Sequence, residues 1–311
     1  MIKKKISFSS KKSKLFFVLL FGILLFSYGF LSAQYKIFPY KQIKILYGET
    51  LKKKILSNIY SKKKIKTFNE CNIPIINSVP SNSIIFIGHA YGSNKTKDIN
   101  YFLSSKILNF LELNSKNIDK VIFTGDVFLF PSILKWNKLD NTFGLNFEIH
   151  IAPGNHDILR PDSRDVFLQS KYGLKKYPYS IELMKDVLII DDSISSKWDV
   201  SSETIIEILK NKNKLSIVAR HNTPIKELTN YVNSLSGFST NLMSYNDLKK
   251  IIPKTNKVVW VIGDSGAFEE LPRITCYKKD NHTFILNGIG DIKNDTIILL
   301  NQNNLFSYVL K

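Results

Sequence analysis

Short apolar, β-branched runs recur along this chain at 84–87, 121–124, 147–152, 187–191, 215–219 and 258–262, separated by longer segments. Two of those segments, 99–113 and 202–209, carry helical periodicity, and Ser244 three residues before Asp247 resembles a helix N-cap signal. Strand-like runs alternating with helix-like ones are the mark of an α/β domain. A chain of 311 residues, 44% of them hydrophobic, is long enough to bury the core of such a domain. The tail changes character: 274–277, 283–287, 296–300 and 305–310 are closely spaced strands joined by Asn, Asp and Gly turns, as in an antiparallel meander.

Ahead of the domain, residues 15–33 form an uncharged run of about 19 residues, enough to cross the hydrocarbon core of a bilayer. The run is long for a signal peptide, and Leu31 stands where a cleavage site needs a small residue, so an uncleaved anchor is expected. A lysine cluster before it places the N-terminus inside and the domain outside the cytoplasmic membrane. The expected layout is a tail and transmembrane anchor over 1–35, a lysine-rich stalk over 36–80, with a short amphipathic stretch through Ile55 and Ile59, and a domain over 81–311.

The net charge of +18 looks like that of a nucleic-acid binder until it is located. Sixteen lysines against one acid, Glu49, put +15 of it in residues 1–66. The remainder is nearly balanced and has no electrostatic footprint for nucleic acid, whereas the leader suits anionic lipid headgroups. Cys71 and Cys276 give no zinc-finger spacing and no disulfide framework; pairing and two separate thiols both remain open.

Polar residues gather at the carboxyl ends of the strands, where open α/β sheets put their ligands. The run 84–87 leads into Gly88, His89, Ala90 and Tyr91; 121–124 into Gly125 and Asp126; 147–152 into Pro153, Gly154, Asn155, His156 and Asp157. The run 215–219 leads into Arg220, His221, Asn222, Thr223 and Pro224, and 258–262 into Gly263, Asp264, Ser265 and Gly266. Carboxylate, amide oxygen and imidazole together suit a borderline divalent cation such as manganese, iron or zinc. His150, inside a strand, and His282, beside a turn, are assigned no chemistry.

The order of these motifs resembles the calcineurin-like metallophosphoesterase family, with its D-x-H, G-D, G-N-H-[DE], H and G-H-x-H blocks. The resemblance covers 84–266, and the run from Gly154 to Asp157 is its most specific piece. It implies a four-layer αββα sandwich and a phosphate-ester substrate cleaved by metal-activated water. It also implies roles: Asp126 as bridging carboxylate, Asn155 and His221 as metal ligands, His156 as the group that protonates the leaving oxygen or steadies transition-state charge, and Asp157 as the group orienting His156. The first and last blocks depart from the pattern, since His89 and Tyr91 stand in D-x-H and Asp264 and Gly266 in G-H-x-H. Asp126, Asn155, His221 and Asp264 thus keep one metal set. The other set, His89, Tyr91, Asp126 and Gly266, loses one ligand and has a poor one in Tyr91, so one firm metal and a weak, different or absent second are expected.

Gly263, Asp264 and Ser265 also match the G-D-S block of SGNH-type serine esterases, but that block opens its family's pattern and here comes late, with no closing Asp-x-x-His. Two functions follow for comparison. One is an envelope phosphoesterase; the other is a phosphoesterase-like protein without chemistry that binds a glycan, a lipid headgroup or a protein partner.

Overall fold

The computed structural model describes residues 10–35, 68–93, 98–232, 242–265 and 274–311, with side chains left aside at 10–18, 32–35 and 230–232. Lys3, Lys4 and Lys5, the stretch 36–67 with Ile55 and Ile59, and Gly266 lie outside the described residues. The chain divides into two compact units, 1–62 and 63–311. The first contributes helix α1, Ser10–Tyr35, whose described side chains, 19–31, are all exposed. Among the described residues no helix is long and apolar enough to cross a membrane.

The second unit is built on two sheets. Its strands are β1 (Asn69–Glu70), β2 (Ile75–Ile76), β3 (Ser83–Ile87), β4 (Ile118–Phe123), β5 (Glu148–Ile151), β6 (Tyr179–Glu182), β7 (Asp186–Ile190), β8 (Leu215–Arg220), β9 (Val258–Ile262), β10 (Ile274–Lys279), β11 (His282–Asn287), β12 (Thr296–Asn301) and β13 (Asn304–Val309). Its α-helices are α2 (Ser105–Asn114), α3 (Ile133–Phe143), α4 (Asn155–Ile158), α5 (Pro161–Gln169), α6 (Ser202–Lys210), α7 (Lys226–Val232) and α8 (Tyr245–Ile251). One sheet runs β1-β10-β11-β9-β8-β7-β6 and the other β2-β13-β12-β3-β4-β5. Each contains a run of parallel strands: β3, β4 and β5 in one, β7, β8 and β9 in the other. Parallel neighbours need crossovers, and α2, α3 and α6 to α8 supply them.

Alternation of side chains along the strands divides the core into layers. Ile84 and Phe86 of β3, Ile122 of β4 and Ile298 of β12 point toward Ile190, Ile217, Ala219, Val259 and Val261 of the other sheet. Their neighbours Ile85, Ile87, Val121, Phe123 and Leu299 point the other way, onto Ile107 and Phe110 of α2 and Trp136 and Leu139 of α3. Beyond the second sheet, Tyr245 of α8 meets His282 and Phe284 of β11 edge-on, at 5.8 and 6.4 Å.

Three differences from the sequence reading have local causes. The tail is two hairpins in different sheets rather than one meander, because β11 pairs in parallel with β9 while β12 pairs antiparallel with β3. Residues 68–80, read as the end of a stalk, join the domain: β1 pairs with β10, β2 pairs with β13, and Cys71 is disulfide-bonded to Cys276. The helix expected over 99–113 begins at Ser105, because Asp291 holds the preceding turn through the hydroxyls of Ser104 and Tyr101 and the N–H of Ser93.

Candidate metal centre

Five strands deliver their polar loops to one place, and backbone contacts lock those loops together. Thr124 N–H donates to the Ile87 carbonyl and His89 N–H to the Gly125 carbonyl, tying the ends of β3 and β4. On the other sheet, Asp264 N–H donates to the His221 carbonyl at 2.9 Å, tying β8 to β9. The two sheets meet where His221 Nδ1 lies 3.1 Å from the Thr124 carbonyl. Gly125 has φ +91°, and a Cβ there would overlap the His221 ring, so the approach requires glycine. His89 and Asp126 themselves sit at φ +51° and +56°, strained for residues with side chains, and each stands one residue after a strand-ending glycine.

The side chains converge. His221 Nε2 lies 3.0 Å from Asn155 Oδ1, 3.5 Å from Asp126 Oδ1 and 3.9 Å from Asp264 Oδ1. His89 Nε2 lies 3.3 Å from Asp264 Oδ1 and 3.6 Å from Asp126 Oδ2. The ring of His156 approaches from the open side, with Nε2 4.0 Å from Asp126 Oδ2 and 31% of its side chain exposed. Its Nδ1 is 3.3 Å from the Leu129 carbonyl, which leaves Nε2 as the atom facing the site.

These donors fit a divalent cation. When His221 Nδ1–H donates to the Thr124 carbonyl, Nε2 presents a lone pair to an amide oxygen and two carboxylates, all of them acceptors. Acceptors aimed at one another call for positive charge among them, and an outer hydrogen bond that fixes the imidazole tautomer is how metal-binding histidines are held. Burial alone would raise the Asp126 carboxyl, but the imidazoles of His221, His89 and His156 and the His156 N–H hold it below the ordinary range. For His89, burial works downward, yet the hydrogen bond to Asp264 and the charges of Asp126 and Asp264 carry it above the ordinary value.

Asp157 has a different place from the one its motif implied. Its carboxylate accepts backbone N–H groups of Asp126 at 2.9 Å, Gly154 at 2.9 Å and Val127 at 3.1 Å, and so clamps the β4 loop to the β5 loop. The Leu129 carbonyl, rather than Asp157, meets the His156 ring. Burial and the negative charge of Asp126 push Asp157 up to about 7 against the pull of those three donors. Tyr91 is buried, its ring centroid 5.3 Å from His89 and 5.4 Å from His156, and burial raises its phenol well above the usual range.

Asn222 was not singled out in the sequence, though it follows His221. Its Nδ2 donates to Asp264 Oδ2 at 3.1 Å, while its Oδ1 lies 3.3 Å from the Ser193 hydroxyl. An amide beside a histidine carries no signal of its own; only the fold brings it to Asp264. Among the described residues the buried Ser265 hydroxyl has no hydrogen-bond partner, and none of them stands as a base to activate it. His150 and His282 are buried within strands, away from these loops.

No family profile and no curated protein matches the sequence. Among solved structures, purple acid phosphatase PPD1 from yellow lupin (Lupinus luteus) seeds is similar at TM-score 0.47 and 13% identity, over 76% of this chain and 55% of that one. Vps29 from Chaetomium thermophilum is similar at TM-score 0.34 and 13% identity, over 74% and 88%. A single mutant of Vps29 from Entamoeba histolytica is similar at TM-score 0.34 and 9% identity, over 73% and 92%. All three have the calcineurin-like metallophosphoesterase fold. This chain spans about half the length of the lupin phosphatase.

Proposed function

We propose that this chain is a metal-dependent phosphoric ester hydrolase of the calcineurin-like metallophosphoesterase type, held at the cell envelope by α1. The observation that carries the reading is the convergence of Asp126, Asn155, His221 and Asp264, drawn from four strand-end loops, around one point. Those residues would hold a manganese, iron or zinc ion. Such an ion, when bound, supplies Lewis-acid charge to a phosphoryl oxygen and to water at the site. The protein's own part is positional. Asp157 fixes the backbone of Asp126, the Thr124 carbonyl fixes His221, and the Leu129 carbonyl aims His156 Nε2 into the opening. From there Nε2–H donates a proton to the departing ester oxygen.

An envelope location is supported by three features of different kind. Leu19, Phe21, Ile23, Leu24, Phe26 and Phe30 of α1 are each more than half exposed, an apolar surface that lipid would cover. The Cys71–Cys276 disulfide suits an oxidising compartment rather than a reducing cytosol. The lysines on either side of the apolar run suit anionic headgroups.

The test is hydrolysis of model phosphomonoesters and phosphodiesters by the detergent-purified full chain loaded with manganese or zinc. His156→Ala should lower kcat by about 10²- to 10⁴-fold while leaving the metal bound. An unchanged rate would remove His156 from the mechanism. Metal binding with no hydrolysis of either ester would favour the binding-protein alternative.

A further inference from the structure

We infer that Lys135 is a positioning residue for His156: its ammonium group clasps the loop whose carbonyl sets the direction of that imidazole. The inference rests on the hydrolase reading above, in which His156 is the acid, and deepens it by one residue.

Lys135 stands where local rules favour another residue. It is the third residue of α3, which Ser132 caps, and a Glu or Gln there would complete the cap, an acid also suiting the positive end of the helix dipole. The side chain is buried as well, at 8% exposure, and burial lowers its pKa against the pull of Asp98. A lysine set against both the dipole and burial is kept in place by what its Nζ binds. Its partners are two backbone carbonyls, that of Ile99 at 2.7 Å and that of Phe130 at 2.6 Å.

Both carbonyls belong to segments that reach His156. Phe130 follows Leu129, whose carbonyl lies 3.3 Å from His156 Nδ1, and precedes Pro131. A residue before proline keeps to extended backbone, so with the Phe130 carbonyl held, few rotations remain by which the Leu129 carbonyl can turn. Ile99 lies in the segment ahead of α2, which Ser104 N–H joins to the Ala90 carbonyl, next in sequence to Tyr91, whose ring is 5.4 Å from His156. Lys135 thus ties the β3 loop to the β4 loop. The two loops meet again where the rings of Phe102 and Phe128 lie 5.4 Å apart.

The experiment compares Lys135→Met and Lys135→Arg, each in the otherwise unaltered full chain and in His156→Ala, loaded with Zn²⁺ and assayed on model phosphate esters. Lys135→Met should lower kcat by about 10- to 100-fold with KM little changed, and Lys135→Arg, whose guanidinium offers donors to both carbonyls, should recover part of the loss. In His156→Ala the same Lys135→Met change should move the residual rate by less than about 2-fold, because nothing is left to position. An equal loss in both backgrounds would make Lys135 a general structural residue and overturns the inference, as does an unchanged kcat. A second readout needs no turnover. In the ¹⁵N spectrum of the histidine-labelled chain, the neutral ring of His156 should keep its proton on Nδ1, where the Leu129 carbonyl accepts it, and Lys135→Met should spread the proton over both nitrogens. If the wild type hydrolyses no ester, the hydrolase reading fails and this spectrum still decides on Lys135: an unmoved His156 signal overturns the inference. Should Lys135→Met not fold, Lys135→Gln, with N–H donors on a shorter arm, takes its place in both tests.

Discussion

The histidines of this chain fall into two regions that treat the same side chain in opposite ways. His89, His156 and His221 stand just past the ends of β3, β5 and β8, facing Asp126 and, for His89 and His221, Asp264 as well. His150 and His282 lie within β5 and β11, among aromatic rings and away from those acids. At the strand ends, carboxylates raise His89 despite its burial; within the strands, burial prevails and lowers both His150 and His282 to about 4. Burial therefore does not by itself mark a structural histidine. What separates the regions is how many acids reach the ring: His150 Nε2 lies 3.0 Å from Glu148 alone, with Lys175 and Lys120 opposing it, whereas the loops after parallel strands bring carboxylates from several directions at once.

The comparison can be broken first at Asp157, the buried acid that holds the strand-end region in shape. Replacing it by Ala leaves the N–H groups of Asp126, Val127 and Gly154 without their acceptor. With each orphaned donor costing about 1–3 kcal/mol, Asp157→Ala should lose at least about 3 kcal/mol in urea unfolding. Asp157→Asn keeps one acceptor oxygen and should lose less. A loss below about 1 kcal/mol for the alanine variant would mean that the loops stand without the clamp, and the two regions would then differ less in construction than their contacts imply.

The strand interior gives the second test, through pH. Trp260 Nε1 donates to His282 Nδ1 at 3.1 Å, and the ring lies beside those of Trp260 and Phe284 with centroids 6.3 and 6.0 Å away, so the neutral form is the one accommodated. The unfolded chain takes up the proton near the ordinary histidine value, while the folded chain does so only near pH 4. This contribution is fully present above about pH 6.5 and is lost as pH falls toward 4, by about 3 kcal/mol. Urea midpoints of the wild type and of His282→Gln, measured from pH 7 to pH 4, isolate it as the difference in slope. Parallel curves would show that His282 is protonated at the same pH in both states.

Much of this was legible in the sequence, and the rest was hidden for physical reasons. The strands β3, β4, β8 and β9 announce themselves because each is a run of apolar residues ending at a polar loop. Helix α3 buries Trp136, Leu139 and Phe143, a three- and four-residue spacing that was readable but interleaved with lysines at 135 and 138. The partners of β12 could not be read, since pairing with β3 joins residues more than 200 positions apart. The role of Asp157 was hidden in the same way: its motif places it beside His156, but its hydrogen bonds reach across to the backbone of β4's loop. Motifs carry side-chain identity, whereas what a carboxylate accepts depends on which N–H groups the fold presents to it.

The smallest effect tests whether the strand-end region depends on contacts beyond the carboxylates and imidazoles themselves. Asn222 is oriented from behind by Ser193, whose hydroxyl lies 3.1 Å from the Asn222 N–H and 3.3 Å from its Oδ1. That leaves Nδ2 to hold Asp264 Oδ2 and turns Oδ1 of Asp264 toward His89 and His221. Without the amide, the partly exposed Asp264 side chain regains its rotamers and must lose them again on binding an ion. Asn222→Ala should therefore weaken Mn²⁺ binding by about 10-fold, at the low end for an outer partner of a metal ligand, with urea stability moved by less than about 1 kcal/mol. Asn222→Gln, with the same amide on a longer arm, should recover part of the affinity. Affinity unchanged in the alanine variant would mean that Asp264 is placed by its own backbone hydrogen bond to His221, and that the strand ends need no help from the loop carrying Ser193.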